Sequence, residues 1–165
     1  MTTEVGVRLA SAVDGEALAR LLRDFNAEFD TPTDPVGVVA GRFAAVVDGG
    51  AGFAVLVESG GGVPLGFALV TLRPTVYYDG PLAVLDELYV VPDRRGGGLG
   101  SRLVAAMRAE LVARGCEEVH VNVDSVDVDA RRFYERGGFV NVERAEDGPM
   151  LLYVGPAEPP VEEAP

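Results

Sequence analysis

Apolar and polar residues alternate through positions 5–9, and apolar side chains then recur at helical spacing as Ala17, Leu18, Leu21, Leu22 and Phe25. A short strand followed by a helix over 14–25 is predicted. Polar residues and prolines over 26–35 mark a loop, and 36–47 reads as a second helix that ends before Asp48-Gly49-Gly50. Gly37 and Gly41 inside that helix weaken it. Apolar runs at 51–58 and 64–73 are joined by Ser59-Gly60-Gly61-Gly62, the pattern of an antiparallel hairpin. A third strand over 83–91 follows the loop 74–81 and is stopped by Pro92. Helical spacing returns over 99–114 through Leu103, Val104, Met107, Leu111 and Val112, with Gly115 as its stop. Residues 118–124 alternate as a strand, 129–136 form a short helix closed by Gly137-Gly138, and 139–143 with 150–154 make a final antiparallel pair.

The predicted order is strand, two helices, three strands, helix, strand, helix, two strands. That is an α/β (α+β) chain of about seven strands flanked by about four helices. Consecutive strands favour antiparallel pairing, whereas the strand, helix, strand unit over 83–124 favours a parallel crossover, so the sheet is mixed and mostly antiparallel. A chain of 165 residues suits one buried core. One domain over 1–155 is expected, and the acidic, proline-rich stretch 156–165 reads as a disordered tail.

Charge and composition narrow the partners. The formal charge is −12 and all 14 basic residues are arginines, so no basic face is available for general nucleic-acid binding. No apolar stretch approaches the roughly 20 residues that span a bilayer, and the N-terminus lacks signal-peptide character, so a cytoplasmic protein is expected. One cysteine, Cys116, and one histidine, His120, make a metal site unexpected. The arginines nevertheless gather at 94, 95 and 102 and at 131, 132 and 136, as an acidic protein that holds an anion would require.

Arg95-Gly96-Gly97-Gly98-Leu99-Gly100 lies between a predicted strand and a predicted helix. Such a turn exposes backbone N–H groups at the positive end of a helix dipole, which suits a pyrophosphate. Glycine lets the phosphates approach, and Arg94 or Arg95 can add a charge-assisted contact. The turn lacks the Gly-Lys-Ser/Thr ending of a P-loop and does not follow the dinucleotide-binding pattern.

These residues resemble motif A of the GNAT superfamily of acetyltransferases, with Arg95, Gly98 and Gly100 filling its Arg/Gln-x-x-Gly-x-Gly/Ala turn. The segment Leu88-Tyr89-Val90-Val91-Pro92 is similar to the family's fourth strand, and Phe133-Tyr134-Glu135-Arg136-Gly137-Gly138-Phe139 resembles its motif B. The resemblance covers about 64–154. It implies acetyl-CoA as acyl donor, with the pantetheine arm beside Leu88, Tyr89 and Val90 and the pyrophosphate on Arg95 and the N–H groups of Gly96, Gly97, Gly98, Leu99, Gly100 and Ser101. It also implies that Tyr134 protonates the departing thiolate and that the N–H of Val90 holds the oxyanion.

The attacking amine must lose a proton, so a carboxylate near the same strand is needed; Glu87 is the first candidate and Asp86 the second. Asp127 replaces the asparagine frequent before motif B and can cap its helix. Asn122 stands where related enzymes that act on protein N-termini carry a glutamate. Glu28, Asp30 and Asp34, with Tyr77, Tyr78 and Asp79, would line a cleft for a small polyamine-like or aminoglycoside-like amine. His120 and Cys116 are read as a hydrogen-bonded surface histidine and a plain thiol. A homodimer is compatible with all of this. An acyl-CoA-binding module without catalysis remains the alternative, because the glycine turn serves both equally.

Overall fold

Leu18, Leu21 and Phe25 recur on one stripe of α1 (Gly15–Ala27), and Val39 and Phe43 on one stripe of α2 (Val36–Asp48). Both stripes must be buried, and they pack against one face of a sheet through Ala54, Leu56, Phe67 and Tyr89. Phe67 is fully buried there, which stabilises the fold by about 2–3 kcal/mol. This computed structural model describes residues 4–158. It divides into two compact units, Met1–Val121 and Asn122–Pro165.

The first unit holds the sheet, in the order β1 (Val5–Leu9), β2 (Gly52–Ser59), β3 (Pro64–Arg73), β4 (Leu82–Val90) and β5 (Val119–Val121). The first three pairings are antiparallel and β4 to β5 is parallel, so the sheet is mixed and mostly antiparallel as expected. The crossover is made by α3 (Leu99–Ala113), whose Leu103 and Met107 are fully buried against β2, β3 and β4. The sheet is thus covered by α1 and α2 on one face and by α3 on the other. Arg8 on β1 donates to both Asp14 and Glu58, which joins the first strand, the turn before α1 and β2. This guanidinium and the N–H of Ser11 hold the Asp14 carboxyl down at about 2. The loop before β4 lies so close to the turn after α3 that a Cβ on Gly80 would stand 1.7 Å from the carbonyl oxygen of Gly115.

The second unit contains α4 (Val128–Arg136), capped by Asp127, whose Oδ1 accepts from the N–H of Ala130 at 2.9 Å. Two expectations are corrected here. The fifth strand extends over three residues instead of the predicted 118–124. The predicted pair at 139–143 and 150–154 is not a pair of strands among the described residues; one backbone hydrogen bond, from Met150 N–H to the Asn141 carbonyl, links the two segments. The sheet therefore has five strands in place of about seven. Alternation makes a strand only when one face becomes buried, and no described residue from 122 onward is buried. Most of the tail expected to be disordered, residues 159–165, lies outside the described residues.

Candidate active site

The residues expected to carry chemistry lie mainly on β4 and the turn after it. The β3–β4 register runs Leu69 opposite Glu87, then Val70 opposite Leu85. Asp86 is therefore an extra residue on β4, a β-bulge. Its carboxylate accepts from the Thr71 hydroxyl at 2.6 Å. The bulge reverses which face β4 presents: Leu85 turns its side chain to the α3 side, opposite Val70, while Glu87 and Tyr89 turn theirs to the α1 and α2 side, opposite Leu69 and Phe67.

The bulge also marks where β4 and β5 part. Pairing with β5 ends at Leu85 opposite Val121. From Glu87 onward β4 is paired only with β3 among the described residues. The Val91 N–H donates to the Leu65 carbonyl at 2.9 Å, so strand alternation turns the N–H and C=O of Leu88 and Val90 to the opposite edge, which no strand pairs among the described residues and where the Val90 carbonyl accepts from Arg95. An extended amide-bearing chain could pair there as a strand does.

At the end of β4, Pro92 stops the strand and a turn of 3-10 helix at Pro92–Arg94 leads into the glycines. Gly96 and Gly98 take φ of +75° and +82°, a region that side chains strongly disfavour. The first backbone bond into α3 is Arg102 N–H to the Gly98 carbonyl. The N–H groups of Gly96 through Ser101 donate to no acceptor among the described residues. Consecutive unpaired donors at the positive end of α3 fit a pyrophosphate.

Arg95 is engaged differently from expectation. Its Nε donates to the Val90 carbonyl at 2.8 Å, and its Nη2 meets both carboxylate oxygens of Glu28 at 2.7 and 2.9 Å. The guanidinium also lies 5.5 Å from the centre of the Tyr89 ring, which stacks on Phe25 at 5.1 Å. Burial, then the charge and hydrogen bond of Glu28, raise the Tyr89 phenol above its ordinary value. The loop after α1 is thereby tied to the glycine turn.

Glu87 is half-buried. Burial first, and the neighbouring Asp86 carboxylate second, push its carboxyl above the ordinary carboxylate range. Burial also raises the Cys116 thiol, with Arg114 opposing, so the thiol stays protonated at neutral pH. His120 meets the Glu118 carboxylate on the surface. Tyr77 is exposed, while the Tyr78 hydroxyl is enclosed without a hydrogen-bond partner among the described residues.

Tyr134 belongs to the second unit, on α4, where its ring meets Phe133 and Phe139 edge-on at 5.2 and 5.4 Å. The first unit thus brings Glu87, the open edge of β4 and the glycine turn into one continuous segment, and Tyr134 belongs to the second unit. Sequence reasoning missed the bulge at Asp86, the Arg95–Glu28 bridge and a cavity between α1, α2 and β3. Asn26, Thr33 and Arg42 on that cavity lie in a loop or on a helix face and carry no periodic signal.

A model of the acetyltransferase (GNAT) family matches residues 16–139. Over 157 residues the chain is 29% identical to aminoglycoside N(6')-acetyltransferase type 1 of Stenotrophomonas maltophilia, covering 93% of this chain and 94% of that protein. A 64-residue stretch is 44% identical to mycothiol acetyltransferase of Thermobispora bispora, covering 37% of this chain but 21% of that protein. The match therefore spans only about a fifth of that enzyme's length. A crystal structure provisionally designated an acetyltransferase, from Arthrobacter sp. FB24, superposes with a TM-score of 0.83 at 42% identity, over 94% of this chain and 97% of that one. Aminoglycoside N-acetyltransferase AAC(6')-Iy in complex with CoA shares the fold, with a TM-score of 0.76 at 18% identity over 94% and 97% of the two chains.

Proposed function

Because the chain belongs to the acetyltransferase (GNAT) family, we propose that it moves an acetyl group from acetyl-CoA to a small primary amine by direct attack in a ternary complex. The observation that carries this reading is the Asp86 bulge, which puts a carboxylate of raised pKa, Glu87, next to an open strand edge that leads into the glycine turn. A module that only bound acyl-CoA would need the edge and the turn but would have no use for Glu87. The full-length match to an acetyltransferase also favours catalysis.

In this scheme the donor supplies an activated thioester carbonyl. The N–H groups of Gly96 to Ser101 hold its pyrophosphate. Leu88 and Val90 align the pantetheine arm, and the Val90 N–H stabilises the developing oxyanion. Arg95 belongs to the same segment and, while paired with Glu28, adds positive potential beside the phosphates. Glu87 takes the proton that the ammonium must lose, directly or through a water molecule. The C–N bond then forms, the C–S bond breaks as Tyr134, at the motif B position, gives its phenolic proton to the departing sulfur, and the second proton shed by the nitrogen passes through water to restore the phenol.

The test is thiol release from acetyl-CoA with a panel of amines. Glu87→Gln should lower kcat by about a hundred- to ten-thousandfold. Because the raised pKa delays ionisation of the base, the rate should climb with pH at values above the ordinary carboxylate range, and this limb should vanish in Glu87→Gln. An unchanged rate and pH profile would remove Glu87 from the chemistry.

A further inference from the structure

Beneath α1 and α2 lies a cavity of about 390 Å³, floored by Leu69 of β3 and walled by Leu22 and Phe43. It stands at the small end of the range of ligand pockets, roughly 300–1,000 Å³. Leu69, the floor of the cavity, is the cross-strand neighbour of Glu87 on the same face of the sheet, so the carboxylate assigned as base lies one strand away from that floor. Its polar groups are few and already engaged. Asn26 Nδ2 donates to Thr33 Oγ1 at 3.0 Å, and Arg42 meets Asp34 at 2.7 Å.

We infer that this cavity binds a primary amine of single positive charge on a compact apolar body, with the ammonium turned towards Glu87. The inference rests on the acetyl-transfer reading above for its chemistry, but the binding it describes stands by itself. An apolar wall rewards an aliphatic or aryl-alkyl body, and one ammonium needs only one carboxylate. A polycation would need further anionic partners. Asp34 is neutralised by Arg42, Glu28 is neutralised by Arg95, and both arginines would repel a second ammonium. Of the acidic loop anticipated as an attractor for polyamines or aminoglycosides, Glu28 and Asp34 are thus held in ion pairs, and among the described residues Asp30 is the single carboxylate of the three outside one.

The experiment has a kinetic arm and a binding arm. In the first, kcat/KM from thiol release is compared for 2-phenylethylamine, hexylamine, spermidine and kanamycin. In the second, calorimetry measures 2-phenylethylamine binding to the whole chain with CoA present. The monoamines should exceed the polycations in kcat/KM by about tenfold or more. Leu22→Phe, which fills the cavity from α1, and Thr33→Phe, which blocks it from a loop outside the core, should each weaken 2-phenylethylamine by about tenfold and leave the KM for acetyl-CoA unchanged. Preference for spermidine or kanamycin, or equal affinity in the folded Thr33→Phe variant, would overturn the inference, as would no saturable binding. Saturable binding lost in Thr33→Phe, with no thiol released by any amine, would support the cavity assignment while refuting acetyl transfer.

Discussion

At the scale of single residues, neighbouring side chains of one chemical class receive different chemistry from their surroundings. Asp86 and Glu87 are adjacent carboxylates, yet Asp86 is exposed and bonded to Thr71 whereas Glu87 is half-buried with a raised pKa. Proton abstraction at neutral pH is better served by the second, because a base works best when its pKa approaches the working pH. Tyr134 carries the complementary expectation. Tyr134→Phe keeps the ring that packs on Phe133 and Phe139 and removes only the hydroxyl. Turnover should fall by about ten- to a thousandfold with acetyl-CoA affinity unchanged. The penalty should shrink when acetyl is offered on a thiol of low pKa, since such a sulfur departs without a proton. Full activity with a proven acceptor, under conditions where chemistry limits the rate, would exclude the phenol.

Among the elements, the glycines divide into those that a turn requires and those that a helix only tolerates. Gly98 caps α3 at φ +82°, where a side chain strains the backbone and would also intrude on the N–H groups proposed to hold the phosphates. Gly98→Glu should abolish acetyl-CoA binding in calorimetry on the folded variant, because it adds bulk and a like charge. Gly41 sits exposed inside α2 with open space around its missing side chain. Gly41→Ala should therefore stabilise the protein by about 0.5–1 kcal/mol, read as a raised midpoint in urea, with m unchanged. A loss of stability there would show that α2 depends on that glycine for packing.

For the molecule as a whole, the charge of −12 is distributed so that cationic groups serve local purposes. Arg95 and Arg42 pair with carboxylates near the proposed site, and Arg8 joins two strands to a turn. The net charge of −12 opposes approach to a polyanion, so a mobility-shift assay at physiological salt should detect no binding to DNA. A shift that weakens with added salt would contradict this. Among the described residues no helix is long and apolar enough to cross a membrane.

The boundary between what the sequence alone determined and what needed the tertiary structure follows the range of the forces involved. Periodicity and punctuation are local, so α1, α2, α3 and the β2–β3 hairpin were legible to within a residue or two, and so was the glycine turn, which its composition marks. The terminal segments 139–143 and 150–154 show the limit of that reading, because alternation without a buried face does not make a strand. The bulge at Asp86 was not legible. Leu85-Asp86-Glu87-Leu88 reads as an ordinary strand, and the extra residue exists only because Val70 and Leu69 on the neighbouring strand impose their register on it. That long-range pairing decided that Leu85 is buried against α3 while Glu87 turns to the face of the sheet that α1 and α2 cover. It also decided that Arg95, readable as a phosphate ligand, meets a carboxylate 67 positions away. The sequence supplied the chemical groups; the packing of β3 against β4, and of α1 beside the glycine turn, determined which way those in the first unit point.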